Sequence, residues 1–463
     1  MKYHLFGFAA FLSLSISAQR PELSQRNFSS PAVEKCIETV SARITQPKVR
    51  EMFAQCFPNT LDTTVRYGKT SDGDDDTFVI TGDIPAMWLR DSSAQVWPYL
   101  RFVSKDPKLA RLIRGVLRRQ FRSLLIDPYA NAFMESPDSM SSNWTGDITE
   151  MKKGVFERKY ELDSPCYPIR LAYGYWKATG DKTVFDKLWV DCIREVLTTL
   201  RAQQRMDGTS PYLFMRRTHA MHDTQSNSGY GHPGKPCGLI ASSFRPSDDC
   251  TVFPYNIPGN FFAVSCLRKA ATILRDVNKE WALADSCQAL AEQVQAALKQ
   301  YAVVKTTDFG EVYAFEVDGF GSHLLMDDAN IPSLLSLPYI ADVPVDDPIY
   351  QNTRRFVWSK SNPYFFSGKA GEGIGGPHEG IGYIWPMSDI MLAMTSTDST
   401  EIKAALQRLI TTDAGTNFIH EAYRQEDASK FTRTWFAWAN TLFGELVLHL
   451  IDNNQLELLN SLK

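Results

Sequence analysis

Apolar residues recur every three to four positions through most of the chain, the spacing that lines one face of a helix. The periodicity predicts helices over Val33–Phe57, Ala86–Val103, Pro107–Leu125, Glu161–Lys177, Thr183–Gln204, Asn260–Asp276, Lys279–Lys299, Gly382–Met394, Thr400–Thr411 and Phe431–Asp452, with short ones near Ile331 and Pro348. Strand-like runs are few: Thr77–Ile80, Tyr212–Phe214 and Glu311–Phe315. About twelve helices with no linker or composition shift between them predict one all-α domain. Six helical hairpins closed into an (α/α)6 toroid, with a few short strands in its loops, fit that count. An open α-solenoid fits it too, but a solenoid repeats at about 34–45 residues, and the chain shows no such self-similarity.

The first eighteen residues, MKYHLFGFAAFLSLSISA, follow another pattern: Lys2, an apolar run from Leu5 to Ile16, then small Ser17 and Ala18. This is the layout of a secretory signal peptide. Its apolar run is shorter than the roughly 20 residues that span a bilayer. The expectation is an exported chain, periplasmic or secreted, with residues 19–463 as a single domain and no membrane attachment after cleavage.

Composition narrows the function. Of 463 residues, 44% are hydrophobic and 22% charged, as in soluble globular enzymes. Lys plus Arg number 49 against 53 Asp plus Glu, a net charge of −4. A nucleic-acid binder needs the opposite excess. Eight cysteines include no C-x-x-C pair, so a zinc ribbon is not expected. Cys266 and Cys287 lie in apolar helical stretches and read as buried thiols, while Cys237 and Cys250 lie near polar loops and are candidates to pair. The aromatic share, 12%, signals either a large core or a site built on rings.

Four segments combine polar groups with aromatics. The first, GDIPAMWLRDSSAQ from Gly82, starts a helix at Pro85 and presents Trp88, Arg90 and Asp91 within a turn. A solvated ion pair beside a core Trp is the plainer alternative. The second holds Arg245, Asp248 and Asp249 among Phe244, Phe253 and Tyr255. Adjacent Asp residues before a helix are often caps, but a carboxyl desolvated among rings stays protonated and serves as a general acid. The third carries five glycines between 371 and 380, with Phe366 before them and His378, Glu379 and Trp385 at or after their end. It lacks the G-K-[ST] ending of a phosphate loop. The fourth places Glu421 before Arg433, Trp435 and Trp438. His420-Glu421 has no His at 424, so the zinc-protease reading fails. His219 and His222 have no nearby ligand partner in sequence, and no metal site is expected.

Seven ordered blocks then carry a resemblance: DIPAMWLRDS at 83–92, ELDSPCYPIRLAY at 161–173, RPSDD at 245–249, LLMDDANIPSLLSLPY at 324–339, NPYFFSGKAGEGIGGPH at 362–378, GYIWPMS at 382–388 and KFTRTWFAWANTLFGEL at 430–446. Together they resemble glycoside hydrolase family 125, over about residues 30–455. The resemblance implies an (α/α)6 fold and exo-acting, inverting α-1,6-mannosidase activity on N-glycan or mannan oligosaccharides, with two carboxyl groups and no metal or cofactor. It places the general acid at Asp248 or Asp249, with Asp248 preferred, and the general base at Glu421. Such a pair must stand roughly 6.5–9.5 Å apart to admit water, so the two should come from different loops. Arg90, Asp91, Arg245, His378 and Arg433 would then bind the terminal mannose, with Trp88, Phe366, Trp385 or Trp435 offering ring faces. Glu379 departs from the family's small residue after the GGPH turn and adds a third carboxylate. The alternatives are another inverting α-glycosidase on the same toroid and a non-catalytic glycan-binding protein, which would not need both carboxyl groups.

Overall fold

The computed structural model describes residues 20–463; the expected signal peptide lies outside them. Twelve helices alternate between two concentric layers. The outer layer comprises Pro47–Cys56, Pro107–Ile126, Lys187–Gln203, Trp281–Tyr301, Pro348–Val357 and Ser399–Thr411. Each is followed in the chain by an inner helix: Leu89–Val96, Cys166–Thr179, Ile257–Ile273, Leu337–Ile340, Pro386–Met394 and Ala437–Asp452. Helix Ala437–Asp452 packs on Leu89–Val96, and contacts run on through Cys166–Thr179 and Ile257–Ile273 to Leu337–Ile340, while Pro386–Met394 packs on Ala437–Asp452 from the other side. The result is the expected (α/α)6 toroid.

Burial explains which helix goes where. Ala437–Asp452 buries 13 of its 16 residues, so it has no polar face to give to solvent and must sit inside. Pro107–Ile126 buries only 10 of 20; its other face carries Arg111, Arg114, Arg118, Arg119 and Arg122, which pair with Asp74, Asp75 and Asp76 of the hairpin Val65–Val79. The inner wall is close-packed. A Cβ on Gly444 would lie 2.3 Å from the ring of fully buried Phe57.

Helix boundaries shift where local chemistry interrupts the periodicity. Val33–Phe57 is two helices, Pro31–Ser41 and Pro47–Cys56, because Pro47 begins a helix and cannot continue one. The start of Phe431–Asp452 is instead a strand, Asp427–Thr432, and the helix begins at Ala437. Thr77–Ile80 and Glu311–Phe315 correspond to strands Asp75–Val79 and Gly310–Tyr313. Tyr212–Phe214 is not a strand; its rings fill a buried aromatic cluster with Tyr160 and Phe244. All eight cysteines are free, so Cys237 and Cys250 do not pair. Among the described residues no helix is long and apolar enough to cross a membrane.

Short strands precede the inner helices: Met87–Trp88, Tyr255–Asn256, Tyr383–Ile384 and Asp427–Thr432. Each belongs to a three-stranded sheet that fixes where its helix starts. Asn256 caps Ile257–Ile273 by accepting from Gly259 N at 2.9 Å.

Candidate active site

Segments at the N-terminal ends of five inner helices gather around one pocket of about 410 Å³, its open mouth included. Trp88, Arg90 and Asp91 come from the first, Pro246, Ser247 and Asp248 from the loop before the third, and Asn330 from the loop before the fourth. His378 and Trp385 precede the fifth, and Glu421, Arg433, Phe436 and Trp438 surround the start of the sixth. Eight of these side chains (Arg90, Asp91, Ser247, Asp248, Asn330, His378, Glu421 and Arg433) are polar or charged, and the rings of Trp88, Trp385, Phe436 and Trp438 supply apolar faces. The indole N–H groups of Trp88 and Trp385 are buried and have no acceptor among the described residues.

Asp248 and its neighbour are separated by backbone geometry. Asp248 lies in the left-handed region at φ 69°, inside a turn closed by Asp248 N to Arg245 O at 2.9 Å and Arg245 N to Asp249 O at 2.7 Å. A non-glycine residue there stores of order 1–3 kcal/mol of strain, held by the surrounding structure. The turn sends Asp248 into the pocket and Asp249 away from it. The Asp249 carboxyl is wholly buried, bonded to Ser247 Oγ at 3.2 Å and to His378 Nδ1 at 3.2 Å.

Behind Asp248 lies a network that spacing along the chain does not reveal. Arg90 donates to Glu161 at 2.6 Å, to Asp163 at 3.3 Å and to Asp248 at 3.3 Å. Asn131 Nδ2 bridges Glu161 and Asp248 at 3.3 and 3.2 Å. The buried Lys159 ammonium donates to the Asp248 backbone carbonyl at 2.9 Å. Burial works against the charged form of Asp248, but the hydrogen bond with Glu161 and the charges of Arg90, Lys159 and His378 hold its carboxyl below the usual range.

Glu421 faces the same pocket from the opposite side of the chain's ring order. Thr432 Oγ1 donates to its Oε2 at 3.3 Å, and Arg433 Nε lies 3.4 Å away. Arg433 is itself in the left-handed region at φ 50°, and its guanidinium lies 5.5 Å from the centre of the Phe436 ring at the start of the following helix. Burial raises the Glu421 carboxyl to about 7, opposed by Arg433 and His378 and assisted by a hydrogen bond with Glu379. Asp91 is also raised by burial, and Arg90 Nε at 3.6 Å is its nearest cation. Among the described residues, its oxygens accept no hydrogen bond from another side chain.

Of the residues singled out from sequence, Trp88, Arg90, Asp91, Asp248, His378, Trp385, Glu421 and Arg433 line the pocket. Four do not. Asp249 is behind it, Arg245 is locked to Glu316 at 2.6 Å over the Phe315 ring, and Phe366 packs with Ile384 and Tyr423. Trp435 lies against Gly82, whose Cβ would be 3.2 Å from the indole. Arg90 differs in role from expectation: its Nη atoms are taken by carboxylates rather than left for substrate. Sequence reasoning missed Asn330, Phe436 and Ser247, and the buried Glu161, Asn131 and Lys159. Glu161 and Asn330 stand inside quoted blocks, but nothing local marked them.

His222, Asp249 and His378 bring ligand atoms within 4.8 Å of one another. Burial opposes the charge on His378, but Asp249, with Asp248 and Glu421 nearby, pushes it up to about 10. Both rings address the same Asp249 Oδ1, His378 Nδ1 at 3.2 Å and His222 Nε2 at 3.9 Å, so a proton on His378 and a cation would compete for one position.

Residues 46–448 match the family described as metal-independent alpha-mannosidase, GH125. The chain belongs to that family. It is 40% identical over 455 residues to the meiotically up-regulated gene 157 protein of Schizosaccharomyces pombe, spanning 95% of this chain and 89% of that one. It is 40% identical to a Streptococcus pneumoniae metal-independent α-mannosidase solved in a non-productive complex with α-1,6-mannobiose. That match covers 92% of this chain and 99% of the other, with a TM-score of 0.87. A bacterial glucoamylase complexed with acarbose shares the toroid at TM-score 0.51 and 14% identity, over 81% of this chain and 50% of that one. This GH125 protein is therefore a glycoside hydrolase, an α-mannosidase, on an (α/α)6 fold.

Proposed function

We propose that this GH125 enzyme removes terminal α-1,6-linked mannose from the non-reducing ends of N-glycan or mannan oligosaccharides, with inversion at the anomeric carbon. The observation that carries this reading is the pairing of Asp248 and Glu421 in one pocket, supplied by loops more than 170 residues apart in the chain. The S. pneumoniae relative's complex with α-1,6-mannobiose supports the linkage.

In this mechanism Asp248 protonates the glycosidic oxygen as the C1–O bond breaks, its electron pair leaving with that oxygen. Glu421, ionised, takes a proton from a water whose oxygen bonds to C1 on the other face. On this reading Asp91, His378 and Asn330 hold the hydroxyls, and the Trp and Phe436 rings cover C–H faces. Positive ends of the inner helices point at the same space and favour the carboxylates that the reaction needs. Export to the periplasm or the medium belongs to the same proposal and rests on residues 1–18; the mature protein should begin at or near Gln19 by N-terminal sequencing.

The linkage is tested with α-1,2-, α-1,3- and α-1,6-mannobiose in the presence of EDTA. Release of mannose from the 1,6 isomer at a rate at least about tenfold above the others is expected. A preference for another linkage contradicts the assignment.

A further inference from the structure

Two carboxyl groups that draw on the same donors are held close to each other, so ionising both is costly, and Asp248 shares its donors with the buried Glu161. Glu161 has no solvent exposure. Its Oε2 accepts from Arg90 at 2.6 Å and from Ser164 Oγ at 2.8 Å, and its Oε1 from Asn131 at 3.3 Å. The same Asn131 amide and the same Arg90 guanidinium also reach Asp248 Oδ1, at 3.2 and 3.3 Å. One planar cation and one amide thus clamp the two carboxyls together, one facing the pocket and one sealed behind it. The charged and titratable groups around them are Arg90 and Asp91 from the first inner helix, and Glu157, Lys159 and Asp163 from the segment that carries Glu161. His378 and Arg433 face them across the pocket.

From this geometry we infer that Glu161 and Asp248 form a proton-sharing carboxyl dyad, with Glu161 as the positioning residue that keeps the acid protonated near neutral pH. The inference rests on Asp248 being the acid. Burial, the largest influence on Glu161, pushes it well above the usual carboxylate range, while Asp248 is held below, as expected when one proton serves two groups. A lone Asp beside Arg90 and Lys159 would ionise early and have nothing to donate. Beside Glu161, loss of the last proton creates a double anion, so that proton is kept to higher pH. In turnover the dyad's proton passes from Asp248 to the leaving oxygen with the C–O bond pair. The attacking water's proton goes to Glu421 and then to solvent, and the dyad regains one proton from solvent.

The test compares pH profiles of kcat/KM for wild type, Glu161→Gln and Asp248→Asn on α-1,6-mannobiose and on 2,4-dinitrophenyl α-mannoside, whose leaving group needs no acid. Glu161→Gln should move the alkaline limb on mannobiose down by a pH unit or more. It should also lower the rate at pH 7 by up to about tenfold for each pH unit that the limb moves, and stay within about threefold of wild type on the aryl substrate. Asn131→Ala, which removes a donor to both carboxyls, should move the limb up, and keeps the test available if Glu161→Gln does not fold. An unmoved limb in either folded variant, or equal losses on both substrates, overturns the dyad. Asp248→Asn separates this from the acid assignment: it should lose mannobiose activity and keep aryl activity. If it loses both or neither, the acid is misassigned; if it behaves as expected while the limbs stay put, only the dyad fails.

Discussion

His378 Nδ1 lies 3.2 Å from Asp249 Oδ1, and that contact divides the work of two adjacent aspartates. Asp249 is committed to holding an imidazolium at the pocket wall, while Asp248 is turned into the pocket by its left-handed backbone. Asp249→Asn removes the charge that keeps His378 protonated. The His378 titration should fall from about 10 toward the ordinary histidine range, with KM for mannobiose raised about tenfold and kcat changed less. NMR titration of the ring and steady-state kinetics check both. An equal collapse of kcat in Asp249→Asn and Asp248→Asn would merge the two roles again.

Glu421 sets the acidic side of the pH profile. A base must be ionised, and this carboxyl binds its proton below about 7, so kcat/KM should fall about tenfold per pH unit beneath that point. Arg433, 3.4 Å away, favours the ionised form. Arg433→Gln should therefore move the acidic limb to higher pH. Glu421→Gln should cost about 10²–10⁴-fold above pH 7, and less below it, where wild type is itself protonated at this position. A limb that stays in place in Arg433→Gln would show that another group governs it.

Packing at the inner wall predicts a stability effect far from catalysis. Gly444 faces Phe57 so closely that any Cβ must displace the ring. Alanine favours helix by up to about 1 kcal/mol over glycine, whereas overpacking typically costs about 1–3 kcal/mol. With the contact at 2.3 Å, overpacking should win, and Gly444→Ala should lower the urea midpoint. A raised midpoint would mean that the ring has room to move.

The free cysteines allow a simple check. No pair is bonded, and Cys56, Cys166, Cys192, Cys266 and Cys287 are buried. Reductant should leave the Tm unchanged, and eight thiols should react with a thiol reagent after denaturation. Fewer than eight would reveal a disulfide.

Much of this architecture was legible because helices dominate and their apolar spacing is regular. The outer helices, half buried, show it most clearly: Pro107–Ile126 was predicted to within a residue at its end. Inner helices are apolar on nearly every side, so their limits blur, as at Phe431–Asp452, where a strand and the left-handed Arg433 precede the helix. The pocket residues readable from sequence were those in compact motifs, such as Trp88, Arg90 and Asp91. Glu161 was not readable as a partner of Asp248. It fell inside a predicted helix, although the helix begins at Cys166, and its contact with Arg90 spans 71 residues. Only the closed ring brings those segments together. The same holds for Arg245, Phe366 and Trp435: motif membership placed them near the site, but whether a side chain faces the pocket or its support depends on backbone direction.

The central claim is that Asp248 and Glu421 act from opposite faces of one sugar in a single displacement. It is tested most directly by proton NMR of α-1,6-mannobiose during early hydrolysis, before the released sugar equilibrates. The account predicts that β-mannose appears first and the α anomer only later, by mutarotation. Initial release of α-mannose would contradict it.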